Sequence, residues 1–153
     1  MTPCVRYVRG EGPEVQDFSV GDEAFAVTTK GIEGCHAEMI ALPAELCARK
    51  PAGVGHHEVA AMDVTGLTAL AALEDAGQIR KGETVLINGG SGGVGSMAVQ
   101  YARSARAQVW ATAHTRNIDY VVVADYTQAN FRAMLHGCDV LLDTAGGKSG
   151  ANR

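Results

Sequence analysis

The sequence lacks the features typical of membrane-spanning, nucleic-acid-binding and secreted proteins. Its longest apolar runs fall well short of the roughly 18 residues that a membrane-spanning helix needs. Its 13 basic residues are scattered through a chain of formal charge −4, so the clustered positive charge that binds a phosphate backbone is missing. Residues 1–6 show no apolar signal-peptide stretch. We therefore expect no membrane or nucleic-acid partner and a cytoplasmic location.

Cysteine is also sparse, and its spacing does not suit a metal site. No Cys-x-x-Cys pair occurs among the four cysteines, which are Cys4, Cys35, Cys47 and Cys138. The neighbours His56-His57-Glu58 and Cys35-His36 have no second ligand pair near them at the helical i, i+4 spacing. We expect free thiols in a reducing compartment and no bound metal.

What is present is enough apolar sequence for a packed core, at 46% of 153 residues. Residues 15–51 predict a small β-rich unit, because short runs such as 24–28 and 35–42 are separated by turn residues. The pattern then changes to helices alternating with strands, which predicts a parallel sheet covered on both faces. The predicted fold class is α/β, with a first domain over 1–60 and a second over 61–153.

The second domain has clear periodic signals. They predict helices over 65–79 and 94–104 and strands over 84–88, 108–113, 121–124 and 139–143. The strand over 84–88 reads Thr-Val-Leu-Ile-Asn, the near-continuous apolar composition of a strand buried on both faces.

A glycine-rich segment joins that buried strand to the helix over 94–104. It contains Gly-x-Gly-x-x-Gly at Gly90, Gly92 and Gly95, and its position between strand and helix is the one that dinucleotide binding requires. We expect Gly90 to permit a tight turn, Gly92 to let the backbone approach a pyrophosphate, and Gly95 to allow close helix packing. Main-chain N–H groups around Gly93 and Val94 would then hold the phosphates. No Gly-Lys-Ser or Gly-Lys-Thr follows, which disfavours a kinase or ATPase.

The end of the next strand predicts which dinucleotide binds. An acidic residue there accepts the ribose hydroxyls of NAD, but this sequence reads Ala113-His114-Thr115-Arg116-Asn117. Arg116 suits a ribose 2′-phosphate, assisted by Thr115 or Asn117. NADPH is therefore the expected cofactor, although Arg116 as an ordinary surface charge remains an alternative. An ordinary surface position is favoured for His114.

Several motifs together resemble the medium-chain dehydrogenase/reductase superfamily. They occur in the family order and are Val20-Gly21-Asp22-Glu23, Lys50-Pro51, Thr65-Gly66-Leu67-Thr68-Ala69, residues 82–87, Ser91-Gly92-Gly93-Val94-Gly95 and residues 139–144. The branch they resemble most is the zinc-free quinone oxidoreductases, also called zeta-crystallin-like, which overlap in sequence with enoyl reductases.

This resemblance implies part of a GroES-like β-barrel followed by part of a Rossmann domain that binds NADPH. By position it places Gly92, Gly93 and Val94 at the pyrophosphate, Arg116 at the 2′-phosphate, Thr68 near the nicotinamide and Tyr126 against the adenosine. A plain core or surface tyrosine remains an alternative for Tyr126. The cofactor-binding residues are expected to be Thr68, Ser91, Gly92, Gly93, Val94, Thr115, Arg116 and Tyr126, while no catalytic residue is identified.

The chain departs from the family in length, at about half of the 300 or more residues that family members have. A parallel crossover needs a dozen or more residues, so the segment around Tyr120 and Val121 is too short for a complete one. We expect either a truncated protein or a sequence in which pieces of a longer protein are joined or omitted, and we favour the second. Homodimerisation is implied by the resemblance alone.

The function expected from these features is hydride transfer from NADPH to a quinone or an α,β-unsaturated carbonyl, with a small hydrophobic electrophile as substrate. Two alternatives stay open. One is a non-catalytic nucleotide-binding remnant of such an enzyme, and the other is an interaction protein that binds no cofactor.

Overall fold

The structure, a computed structural model, describes residues 3–28, 35–114, 123–125 and 137–146. By its internal contacts the chain divides into two units, Met1–Val64 and Thr65–Arg153. Its strands are β1 (Pro3–Tyr7), β2 (Glu23–Val27), β3 (Cys47–Arg49), β4 (Thr84–Asn88), β5 (Gln108–Ala113), β6 (Val123–Asp125) and β7 (Val140–Asp143). The helices are α1 (His56–Leu70), which continues as a π-helical turn (Ala71–Ala76), and α2 (Gly93–Ser104). The boundary predicted after residue 60 falls inside α1 and stays a prediction.

The first unit contains an antiparallel sheet in the order β1-β2-β3. Cys4 pairs with Ala26, and Ala26 pairs with Cys47, so these three residues form one row across the sheet. The strand predicted over 35–42 is wrong, because the described chain there bends and joins no ladder. That run buries no apolar face, and the side chain of Met39 is 72% exposed. The third strand lies further along, after a 3₁₀ turn over Ala44–Leu46.

Helix α1 begins at His56, nine residues before the predicted start. The Glu58 carboxylate accepts a hydrogen bond of 2.7 Å from the backbone N–H of Gly55, which is one half of a capping box. The backbone N–H of Val59 then bonds to the Gly55 carbonyl at 3.1 Å. The segment His56-His57-Glu58 therefore forms the first turn of a helix.

The second unit is built on a four-stranded parallel sheet in the order β6-β5-β4-β7. Central strand β4 is buried, with Val85 and Ile87 fully inaccessible. Helix α2 packs its buried residues against β4 and β5, and the core also includes Ala69 and Leu73. Numbered within this unit, the strand order is 3-2-1-4, the order of the Rossmann fold. The predicted α/β class is confirmed.

Candidate functional site

The chain connections on the two sides of β4 run in opposite directions, because β5 lies on one side and β7 on the other. In open α/β sheets, ligands bind outside the carboxyl ends of the strands at such a switch point. Residues 89–92 leave β4 at this place and lead into α2. Strand β4, the glycine loop and helix α2 therefore follow one another in the order that the sequence predicts.

The backbone N–H groups in the first turn of α2 are candidate donors to a ligand. Its N-cap residue is Gly92, and no side-chain cap is present among the described residues. The Ser96 N–H makes a helical bond of 2.8 Å to the Gly92 carbonyl. The preceding N–H groups, those of Gly93, Val94 and Gly95, belong to the first turn, where helical N–H groups lack intrahelical acceptors. They lie at the positive end of the helix dipole, which favours an anion.

Side chains leave this helix start open. Ser91, Gly92 and Gly93 are exposed, Val94 is half-buried and Gly95 is buried. A Cβ at Gly92 would lie 3.3 Å from the Gly89 carbonyl oxygen, and a Cβ at Gly93 would lie 2.9 Å from Cγ2 of Thr65. A side chain at either position would therefore press on its neighbours, and the loop backbone is left bare at its exposed side, as close approach of a pyrophosphate requires.

Two other glycines shape the loop. A Cβ at Gly95 would overlap the Gly89 carbonyl oxygen and lie 2.9 Å from Cα of Gly90, so close packing requires glycine as predicted. The chain turns after β4 with a left-handed backbone at Gly89, whose φ is +85°. A Cβ at Gly89 would also lie 2.6 Å from the Thr144 hydroxyl. Gly90 lies inside the turn, as predicted, because the N–H of Gly92 bonds to the Gly89 carbonyl at 3.0 Å.

Thr68 lies on α1 and is exposed. It follows Thr65 by three residues, so the two share a face of the helix. Thr65 is the residue that approaches Gly93 at the start of α2. The placement of Thr68 near a nicotinamide stays a prediction.

A hydrogen-bonded group of side chains at the strand ends was not predicted. The Thr112 hydroxyl donates to Oδ1 of Asn88 at 2.6 Å, and Nδ2 of Asn88 donates to Oδ1 of Asp143 at 2.8 Å. Asp143 also accepts from the backbone N–H groups of Ala145 and Gly146 at 3.0 and 3.1 Å. The bond from Asn88, followed by those from the two N–H groups, lowers the pKa of Asp143.

The residues predicted to choose between NADPH and NADH lie outside the described residues. They are Thr115 and Arg116, and the same holds for Tyr126 and for the short segment around Tyr120 and Val121. Their roles stay predictions. His114 is described and exposed.

The described residues show neither a cluster of metal ligands nor a membrane-spanning helix. Within 3–28, 35–114, 123–125 and 137–146, no group of three or more His, Cys, Asp or Glu side chains is arranged to hold a metal ion. No helix in those ranges is both long and apolar enough to cross a bilayer. The expected absence of a metal cofactor stays a prediction.

Comparisons with known proteins point to one superfamily, although no family model matches the chain. The chloroplast envelope quinone oxidoreductase homolog of Arabidopsis thaliana is 38% identical over 130 residues, which cover 78% of this chain and 40% of that protein. A crystal structure of an alcohol dehydrogenase superfamily protein from Novosphingobium aromaticivorans is 35% identical, with a TM-score of 0.90. That match covers 95% of this chain and 48% of the other.

Other solved structures share the fold. The CurK enoyl reductase is 27% identical with a TM-score of 0.84, and the match covers 95% of this chain and 47% of that one. Escherichia coli quinone oxidoreductase, solved in complex with NADPH, has a TM-score of 0.77 at 23% identity, a likeness of fold alone that covers 88% of this chain and 43% of that one. The chain spans about half the length of these structures. It belongs to the medium-chain dehydrogenase/reductase superfamily, with quinone oxidoreductases and enoyl reductases as its relatives.

Proposed function

We propose that the protein binds NADPH at the glycine loop and serves hydride transfer to a quinone or an α,β-unsaturated carbonyl. The observation that carries this proposal is the uncapped start of α2 after buried strand β4. Three N–H groups of that turn, on Gly93, Val94 and Gly95, offer donors to a pyrophosphate. Relatives that include a quinone oxidoreductase homolog and an enoyl reductase support the reaction class.

The residues present fit a dinucleotide. Gly92 and Gly93 have no side chains to stand between the loop backbone and a pyrophosphate, and Arg116 offers a cation to the 2′-phosphate. When bound, NADPH supplies the hydride. The chain's own contribution is to bind the phosphates and to orient the dinucleotide, with Thr68 toward its nicotinamide end.

The substrate that fits this proposal is a small hydrophobic molecule with an electron-poor conjugated carbon. Quinones and α,β-unsaturated carbonyls share that chemistry, so both belong to the proposed class. We name no catalytic residue, and the proton that follows the hydride comes from solvent in this proposal. A homodimer is part of the proposal through family resemblance.

The test is a titration of the chain with NADPH and with NADH, followed by turnover assays with a quinone and an enone. We expect tighter binding of NADPH and oxidation of NADPH in the presence of one acceptor class. Arg116→Glu should weaken NADPH binding much more than NADH binding, because only NADPH carries the 2′-phosphate. An equal loss for both would refute the role of Arg116.

The same assay separates the alternatives. Binding without turnover would favour a non-catalytic nucleotide-binding remnant of such an enzyme. The absence of binding to either dinucleotide would leave an interaction protein that uses the fold without a cofactor.

A further inference from the structure

The carboxyl ends of β4, β5 and β7 are joined by the side chains of residues at the end of their ladders. The last paired residues are Asn88 with Thr112 and Asn88 with Asp143. The side chain of Asn88 contacts both neighbours, accepting from Thr112 at 2.6 Å and donating to Asp143 at 2.8 Å. An amide is well suited to this position, because its oxygen faces a hydroxyl and its NH₂ group faces a carboxylate.

This chain of bonds continues into the glycine loop. The Thr112 hydroxyl, which donates to Asn88, accepts from the backbone N–H of Gly89 at 3.1 Å. The carbonyl of Thr112 accepts from the N–H of Gly90 at 2.8 Å. The first two loop residues are thus attached to β5 by one side chain and one main-chain group of the same threonine.

The loop is held on its other side by the segment after β7. The Thr144 hydroxyl and its N–H both bond to the Asn88 carbonyl, at 2.7 and 3.0 Å. Its hydroxyl also lies 3.4 Å from the Gly89 carbonyl. Gly89, where the chain turns with a positive φ, is therefore fixed from β5 and from the segment after β7.

We propose that Asn88 and Thr112 are positioning residues, which fix Gly89 and Gly90 so that the donors at the start of α2 are aligned before any ligand binds. This inference rests on the proposed dinucleotide function for its effect on affinity. Sites of this kind need their groups held to within about 0.5 Å of the productive geometry by locked neighbours. Neither residue touches the cofactor in this proposal, and both act through the loop backbone.

Two substitutions at Thr112 separate positioning from packing. The Thr112 side chain is buried, with 1% exposure. Thr112→Val keeps its volume and removes the hydroxyl, while Thr112→Ser keeps the hydroxyl and removes a methyl group. We expect Thr112→Val to weaken NADPH binding by at least tenfold. Thr112→Ser should retain most of the affinity although it loses packing contacts, and urea unfolding measures that loss separately.

Amide hydrogen exchange of the ligand-free chain gives a readout that does not depend on the cofactor. We expect the Gly89 amide to exchange at least tenfold faster in Thr112→Val than in Thr112→Ser, because only valine leaves that N–H without its acceptor. Equal exchange in the two variants would overturn the positioning role. If the wild type binds no NADPH, the proposed function fails, and the exchange result alone then decides whether the loop is held in this way.

A double-substitution cycle tests whether the two residues act as one unit. We expect Asn88→Leu with Thr112→Val to weaken NADPH binding about as much as the worse of the two single variants, because either change breaks the same chain of bonds. If the double variant instead lost affinity by the product of the two single fold-losses, the residues would act independently and the proposal would be overturned. Unchanged affinity in Thr112→Val, with normal binding by the wild type, would overturn it as well.

Discussion

Replacing Gly95 by alanine tests the contact between α2 and the glycine loop. A Cβ at this position would overlap the Gly89 carbonyl oxygen and lie 2.8 Å from the Gly89 carbonyl carbon. That carbon would have to retreat by about 0.7 Å to reach the roughly 3.5 Å at which carbon atoms attract each other. The atoms in the way are backbone, and Gly89 is held by Thr112 and Thr144. The loop therefore cannot yield by a simple side-chain rotation.

The expected cost follows from two opposing effects. Alanine in place of glycine favours a helix by about 1 kcal/mol, whereas forced overpacking costs about 1–3 kcal/mol. We expect Gly95→Ala to lower the free energy of unfolding by up to about 2 kcal/mol. A loop displaced by more than about 0.5 Å no longer aligns its donors, so NADPH affinity should fall at least tenfold, or about 1.4 kcal/mol.

Gly66→Ala is the matched control, because Gly66 lies inside α1 and a Cβ there would meet nothing within 4 Å. We expect this control to gain up to about 1 kcal/mol of stability and to keep its NADPH affinity. Urea unfolding and a titration followed by nicotinamide fluorescence measure both quantities. If Gly95→Ala gained stability as Gly66→Ala does, the inferred contact between helix and loop would be refuted.

Three further predictions concern other parts of the molecule. Burial raises the pKa of Asp63, whose two carboxylate oxygens have no hydrogen-bond partner in the described part of the chain. Its contribution to stability is therefore greatest below the unfolded pKa and is lost as pH rises through the folded pKa, at about 1.4 kcal/mol for each pH unit that separates the two pKa values. In urea unfolding, the free energy of unfolding of Asp63→Asn should rise relative to that of the wild type as pH increases from 4 to 8. A difference that stays the same at every pH would contradict this. Burial first, and then the neighbouring Cys35 thiol, raises the pKa of Cys4 to about 11. Iodoacetamide should therefore label exposed Cys138 of the native protein before it labels Cys4. Equal labelling rates in peptide mapping would disprove this prediction. Glu58→Ala should cost about 0.5–1 kcal/mol by removing the cap on the N–H of Gly55, whereas Glu58→Gln should retain most of it; an alanine variant as stable as the wild type would rule the cap out.

The second unit was largely predictable from sequence because its signals are local. The apolar run of β4, the glycines after it and the 3.6-residue periodicity of α2 lie within about 20 consecutive residues. The strand order adds that β4 is central, and this agrees with its continuous apolar composition. The start of α1 was missed because its signal is a glycine N-cap followed by Glu58, a weaker pattern than a serine or threonine cap.

The sheet of the first unit and the side-chain bonds of the site depend on pairing between residues that are far apart in the sequence. Strands β1 and β3 are short, and they exist through ladders with β2 rather than through a strong pattern of their own. The bonds of Asn88 reach Thr112 and Asp143, which are 24 and 55 residues away. No local pattern predicts which polar side chains meet at the ends of parallel strands, so this part of the site required the structure.

Phosphate binding at the start of α2 is tested most directly by the amide spectrum of the ¹⁵N-labelled chain during a titration with NADPH. We expect the amide resonances of Gly93 and Val94 to shift in a saturable way, with the same dissociation constant that nicotinamide fluorescence gives. Saturation by NADPH with both resonances unmoved would contradict the proposed site, since the pyrophosphate would then bind elsewhere.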